Sequence, residues 1–202
     1  VWKGVNSETG LGEFWVDPED HSKGVTNFYS EAGNTIVGKA LPDVVGGFSS
    51  NMTFMDGLLD LSFLISYQFG GSLFDYPGYF THSDGFRAAS MNAAADASDY
   101  WTEDNRDAVY PKPIMNNPYR WDRFSSRLIK STDNIRMREI ALGVNIPTSS
   151  RIERLRVYLK ATNPFMIWSA TPDIDPDVAI NGYRTVDVPV TKSFVLGLNI
   201  TL

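Results

Sequence analysis

Two runs of alternating side chains joined by Asp56-Gly57 constrain this chain more than any other feature. Before the joint, Phe48, Ser50, Met52 and Phe54 alternate with Gly47, Ser49, Asn51 and Thr53. After it, Leu59, Leu61, Phe63, Ile65, Tyr67 and Phe69 alternate with Asp60, Ser62, Leu64, Ser66 and Gln68. Period two sends successive side chains to opposite faces of a strand. Asp-Gly suits a type I′ turn, whose two central residues need φ > 0. Residues 47–69 therefore read as a hairpin in which Met55 faces Leu58, Phe54 faces Leu59, Met52 faces Leu61 and Phe48 faces Ile65. One face is large and apolar, the other small and hydroxyl-bearing. A sandwich core presents that pattern too, but strands of this length suit a membrane crossing of about 9–11 residues.

The alternation returns in residues 138–147, where Ile140, Leu142, Val144 and Ile146 oppose Glu139, Ala141, Gly143 and Asn145. Ile135 and Met137 are out of phase with that set, which predicts a bulge near Arg138. Beyond a short link, 148–153, Leu155, Val157, Leu159 and Ala161 alternate with Arg154, Arg156, Tyr158, Lys160 and Thr162. The predicted hairpin sets Asn145 opposite Arg156, Gly143 opposite Tyr158, Ala141 opposite Lys160 and Val144 opposite Val157. Finally Phe194, Leu196, Leu198, Ile200 and Leu202 alternate with Ser193, Val195, Gly197, Asn199 and Thr201. Arginine and lysine on the second face argue against a dry core. They fit a wet barrel interior behind a lipid-facing band. The fold class is all-β, a transmembrane antiparallel β-barrel of which this chain supplies five strands. Asp60, Gln68, Arg154, Arg156, Tyr158 and Lys160 are expected to face the lumen. Phe194, Leu196, Leu198, Ile200 and Leu202 mark the expected terminal strand in barrel assembly.

Link lengths alternate short and long: 56–57 and 148–153 against 70–133 and 170–191. Outer-membrane barrels have short periplasmic turns and long extracellular loops. That places region 1–42 and both long links outside the cell and the C-terminus at the periplasmic side, with residues 43–202 holding the strands. In the long link, 86–97 reads as a helix capped by Ser83-Asp84, and Thr102 opens a second short turn. Tyr76-Pro77-Gly78-Tyr79 and Asn117-Pro118-Tyr119 read as turns. Glu8, Glu13, Asp17, Glu19 and Asp20 lack a catalytic partner at a diagnostic spacing and read as a solvated face.

Composition narrows the function. Net charge is −6 without a basic patch, which argues against nucleic acid. Cysteine is absent, so disulfides and thiolate chemistry are excluded. No apolar run is long enough for a membrane helix. The opening Val1-Trp2-Lys3-Gly4 is unlike a signal peptide, so export implies a longer precursor. No acid pair or Ser-His-Asp ordering supports an enzyme. His82 with Asp84 supplies too few ligands for a metal. Asp173-Ile174-Asp175-Pro176-Asp177 has calcium-loop spacing but carries Val178 and Arg184 where glycine and glutamate are needed. Neither a metal nor a cofactor is expected. Asn51-Met52-Thr53 is a mid-strand sequon without consequence.

Several stretches taken together resemble the C-terminal third of SusC/RagA-type TonB-dependent transporters. They are Trp2-Lys3-Gly4-Val5-Asn6-Ser7-Glu8-Thr9-Gly10, Gly38-Lys39-Ala40-Leu41-Pro42 with Gly46-Gly47-Phe48, and Asp60-Leu61-Ser62-Phe63. Tyr100-Trp101-Thr102 before Tyr110-Pro111, RMREIALGVNIP at 136–147, Arg156-Val157-Tyr158, Asn163-Pro164-Phe165, Asp175-Pro176-Asp177 and the close at 194–202 follow in the same order. The chain departs in ending on Leu202 rather than phenylalanine and in Asn163-Pro164, where the family more often has Asn-Leu.

The resemblance implies a plugged barrel of about 22 strands. It implies TonB-powered import of oligosaccharides or peptides under a SusD-like surface lipoprotein. The plug and the TonB-contacting part would then lie outside this chain, whose partners are the rest of the barrel, the lipoprotein and outer-membrane lipid. A passive porin or surface adhesin on a similar barrel is the alternative. Trp2, Trp15, Tyr79, Trp101, Tyr119 and Trp121 are the candidates for facing cargo or lid, with packing inside a large loop as their other role. Phe165 and Trp168 read as part of an aromatic girdle.

Overall fold

The computed structural model describes residues 1–148, 152–178, 181–186 and 188–202. The chain divides into two units. The first comprises Val1–Gly38, Leu73–Lys130 and Tyr183–Val186; the second Lys39–Ser72, Ser131–Gly182 and Asp187–Leu202. In chain order the strands are β1 (Trp2–Val5), β2 (Gly12–Trp15), β3 (Val25–Thr26), β4 (Val44–Phe54), β5 (Leu59–Phe69) and β6 (Ser72–Asp75). Helix α1 (Tyr76–Thr81) follows, then β7 (Ile129–Ser131), β8 (Asn134–Ile146), β9 (Arg154–Ser169), β10 (Tyr183–Arg184) and β11 (Ser193–Thr201).

The second unit is organised by one antiparallel sheet in the order β11-β9-β8-β5-β4. Its first hairpin has the register read from the sequence, with Phe54 opposite Leu59, Met52 opposite Leu61 and Phe48 opposite Ile65. The turn has φ 52° at Asp56 and 89° at Gly57, as a type I′ turn requires. Met55 is also left-handed, at φ 53°. It therefore leaves the ladder, and the Met55–Leu58 pair becomes a turn closure in which Leu58 N–H donates to Met55 O at 3.1 Å.

The bulge at Arg138 is present against the neighbouring strand β5. Pairing steps from Leu64–Glu139 to Ile65–Met137, so one extra residue is absorbed. Its effect is to return Met137 and Ile135 to the face of Ile140, opposite Ile65, Tyr67 and Phe63. Strand β9 pairs as expected, Asn145 with Arg156, Gly143 with Tyr158, Ala141 with Lys160 and Val144 with Val157. It then runs on through Asn163-Pro164 to Ser169, pairing stepping from Glu139–Thr162 to Met137–Phe165. Proline lacks an N–H and Asn163 sits at φ 49°, so the irregularity falls where the ladder is weakest. Part of the 148–153 link lies outside the described residues.

The sheet's apolar face is bare. Leu142, Leu159, Leu196, Leu198, Ile200 and Phe48 are each more than half exposed, and Phe54 and Val144 are exposed beside them. Contiguous apolar faces of this kind are rare on soluble monomers and mark a surface that meets a partner or a membrane. Tyr67, Phe69 and Trp168 gather on this face at the end opposite the Asp56-Gly57 turn, with ring centroids 6.0 and 6.2 Å apart.

The first unit has an interior of the ordinary kind. Phe14, Leu73, Trp121 and Leu128 are buried, and β1-β2-β3 form a small antiparallel sheet. β10 lies parallel to β6, Tyr183 beside Phe74. The helix expected over 86–97 is absent. Asp84 and Gly85 are left-handed, at φ 49° and 85°, and a Cβ at Gly85 would strike the backbone of Ile114. The chain doubles back instead, so that Ala94 N–H donates to Thr81 O at 3.1 Å. Good helix formers in so short a run do not offset nucleation. A helix forms instead at 76–81, where the sequence predicts a turn, with Pro77 in its first turn. The turn at Thr102 is as expected, closed by Asn105 N–H donating to Thr102 O at 3.1 Å.

Candidate functional site

The polar face of the second unit's sheet carries a built arrangement of charge. Cross-strand pairing sets Asp60, Gly143, Tyr158 and Gly197 in one row. Neither glycine has a side chain to fill the row. Over Gly143, Arg156 therefore reaches Asp60, Nε to Oδ2 at 3.0 Å and Nη2 to Oδ1 at 2.5 Å. Asn145 Nδ2 donates to the same carboxylate at 3.1 Å and to Gly57 O at 2.9 Å, tying the row to the turn. The Tyr158 ring lies over Gly197, and Arg156 stacks on it at 4.8 Å. Lys160 Nζ meets Glu139 Oε2 at 2.6 Å, while Arg154 is exposed. Gln68, further along, donates to Thr132 O at 2.9 Å. The six residues expected on one face thus share it, although Leu64 and Val195 stand there too.

Beyond that row lies a charge cluster that the sequence reading did not assemble. The Arg138 bulge puts Arg136 and Arg138 on the same face, against the 173–177 turn. Arg138 forks onto Asp177, with Nη1 to Oδ2 at 2.6 Å and Nη2 to Oδ1 at 3.0 Å, and its Nε donates to Ser66 Oγ at 2.6 Å. Arg136, only 5% exposed, donates from Nη2 to Asp175. Its Nε lies 3.0 Å from Asp177 Oδ2 but off the N–H axis, an ion pair without a directed hydrogen bond. The spacing that resembled a calcium loop therefore presents its second and third carboxylates to arginine. Among the described residues no three His, Asp or Glu converge as a metal site. The phase break at Arg138 and the Asp-Pro-Asp turn were the two signals; nothing in sequence joined them.

In the first unit the six aromatic candidates do not converge. Trp2 meets Phe14 edge-on at 5.1 Å with Arg127 above it, and Trp15 stacks on His21 at 3.8 Å. Tyr79 belongs to a group with Tyr76, Phe80 and Phe124, capped by Arg87 at 4.5 Å. Trp101 covers Gly10 and donates from Nε1 to Ser7 O at 2.9 Å. Tyr119 stacks on Trp121 at 5.2 Å. Trp121 is 1% exposed and donates to Asn27 O, so it is a core residue and no contact surface.

Two polar clusters in this unit were missed. Glu13 is buried between Lys3 Nζ at 2.6 Å and Asn6 Nδ2 at 2.8 Å, which corrects its place on a solvated face. Burial alone would raise its pKa, but these two donors outweigh it and hold the carboxyl below the usual range. Asp96 accepts from Tyr110 Oη at 2.7 Å and pairs with His82 Nε2 at 2.9 Å. Tyr110, half-buried and bonded to that carboxylate, has its phenol pushed up by the partial burial and by Asp96. His82 and Tyr110 stack at 5.1 Å beside a cavity of about 360 Å³ lined by Ala88, Met91, Ala94, Ala97, Tyr100 and Tyr110.

Comparison with known proteins gives the arrangement a context. No family model matches the chain. The chain is similar to three TonB-dependent receptors of Formosa agariphila: P26, 23% identical over 82% of this chain; P3, 22% over 93%; and P39, 28% over 86%. It spans 18% to 19% of their lengths. Among solved structures, the RagAB peptide transporter superposes over 98% of this chain and 22% of its own, at TM-score 0.78 and 23% identity. The RagAB peptide importer in an open-open state covers all of this chain at the same TM-score. The bare apolar face, the charged opposite face and the meandering antiparallel order are those of a β-barrel wall. In sequence, along most of its length, this chain is similar to TonB-dependent receptors, and its sheet has the fold of a segment of the RagAB β-barrel wall.

Proposed function

We propose that this chain is part of an outer-membrane TonB-dependent importer of oligosaccharides or peptides. The observation that carries the reading is the sheet's division into an exposed apolar face and an ion-paired polar one, within a RagAB-like fold. The apolar face meets lipid, which removes the cost of exposing it to water. The polar face lines the lumen, where Asp60, Gln68, Arg154, Arg156, Tyr158 and Lys160 meet water. The Asp56-Gly57 turn is periplasmic, as is the C-terminus, and the regions 1–42, 70–133 and 170–191 stand on the extracellular side. Tyr67, Phe69, Phe165 and Trp168 sit at the outer interface as a girdle. The remaining barrel, a plug with the TonB-contacting part, and a SusD-like lipoprotein over the loops complete the machine. β11 closes against the rest of the barrel.

Deletion of the gene tests this. Growth on one class of polymer, peptide or glycan, should fail when that polymer is the sole source and return on complementation. Unchanged uptake of every peptide and glycan by the deletion strain would contradict import and leave the porin or adhesin reading.

A further inference from the structure

The Arg136–Arg138 cluster has a shape that wall-building does not require. We propose that Arg138, with Arg136 behind it, is a carboxylate-binding subsite that the chain's own Asp177 keeps occupied, the 173–177 turn acting as a strap that a carboxylate-bearing cargo displaces. The proposal rests on the reading of the polar face as the water-filled side of the wall.

Three observations carry it. First, the Arg138–Asp177 contact is the two-pronged geometry in which guanidinium recognises any carboxylate, at 2.6 and 3.0 Å. Arg138 is pre-aimed by Ser66 Oγ, which takes its Nε, so the fork stays in place when the strap leaves. Second, the cluster is unevenly satisfied. Asp177 Oδ2 is shared between Arg138 and Arg136, and buried Arg136 Nε finds no directed acceptor. Asp177 thus serves both guanidiniums while Asp175 serves only Arg136 of the two, and a ligand carboxylate at Arg138 would release Asp177. Third, Pro176 and Asp177 form one wall of a cavity of about 390 Å³, whose other walls include Gln68, Thr132, Val45 and Pro42. Moving the strap enlarges that cavity on the sheet's polar face. Within the strap the two carboxylates are coupled, Asp177 N–H donating to Asp175 Oδ1 at 3.1 Å. Among the described residues the strap's one backbone tie to the 188–192 stretch is a long one, Val190 N–H to Asp175 Oδ2 at 3.3 Å.

The chemistry names the ligand class as a carboxylate carried on a larger solute, which a peptide C-terminus and a uronic acid both supply. Ile174 reports on the strap, because it lies within it and is 6% exposed. In the full receptor in detergent, Ile174→Cys should react slowly with a water-soluble maleimide. Asp177→Asn should raise that rate about tenfold, the effect of about one decade in the open population. Should Asp177→Asn fail to assemble, Arg138→Asp should raise the rate and Arg138→Asp with Asp177→Arg should restore it. N-acetyl-trialanine and trigalacturonate, each beside its neutral form (the C-terminal amide and the methyl ester), then separate the two sources. Acceleration by either acid and by neither neutral form supports the subsite and tells which source fits.

An Ile174→Cys rate indifferent to the Asp177 and Arg138 changes overturns the strap. A rate that responds to Asp177→Asn but to neither acid overturns the carboxylate subsite. Lys160→Cys, on the same face, separates a failure of the underlying reading: no aqueous labelling there means that this face is not the water-filled one.

Discussion

At the scale of single residues, backbone geometry and local charge decide most outcomes. Gly57 at φ 89° has open space around it, so Gly57→Val is penalised by conformation and not by a clash. A β-branched residue there should destabilise the hairpin by about 1–2 kcal/mol, read as a lower unfolding temperature of the purified receptor. Gly197→Ser adds only a small side chain, but a Cβ there meets the Tyr158 ring, which must swing away and release its stack with Arg156. The variant should therefore be less stable than Asn199→Ser, and Tyr158→Ala should remove the difference.

Glu13 gives a pH test. Its folded pKa lies below the unfolded value, so its contribution is full above the ordinary carboxylate range and is lost as pH falls through the folded value. Glu13→Gln should cost about 1–3 kcal/mol at neutral pH. The gap from the parent should close in acid, measured by thermal unfolding across pH. None of these residue roles except Gly57 was legible beforehand. Glu13 looked like one carboxylate among several, because its donors Lys3 and Asn6 reach it only once β1 and β2 pair.

Elements were legible in proportion to how local their causes are. β4, β5, β8 and β9 were readable with their register, because period-two alternation and an Asp-Gly turn act over neighbouring residues. Even the Arg138 bulge left a visible phase break. The 70–133 link was not readable in the same way. Its form depends on contacts such as Trp121 to Asn27 and Tyr29 to Phe124, nearly a hundred residues apart. Propensity placed the helix at 86–97, while left-handed Asp84 and Gly85 packed against Ile114 overrule it. The strap was hidden for the same reason, its ion pairs spanning 39 residues. For β11 the prediction is direct: Leu198→Lys or Ile200→Lys puts charge on the apolar face and should cost about 2–4 kcal/mol near a bilayer midplane. Membrane levels of the assembled receptor should fall for both and stay near normal for Asn199→Ser. The reverse pattern would mean that the two faces are exchanged.

For the molecule as a whole, the central claim is that the sheet separates lipid from water along its entire width. Strand β9 tests it most directly, because its faces alternate over 154–162 and Lys160, Tyr158 and Arg156 alternate with Leu159, Val157 and Leu155. Single cysteines at these six positions in the full receptor, reconstituted in bilayers, can carry a fluorescent label whose quenching by brominated lipid and by aqueous iodide is measured. The account predicts lipid quenching at 155, 157 and 159 and iodide quenching at 156, 158 and 160. Uniform quenching by one agent, or the opposite alternation, would contradict it.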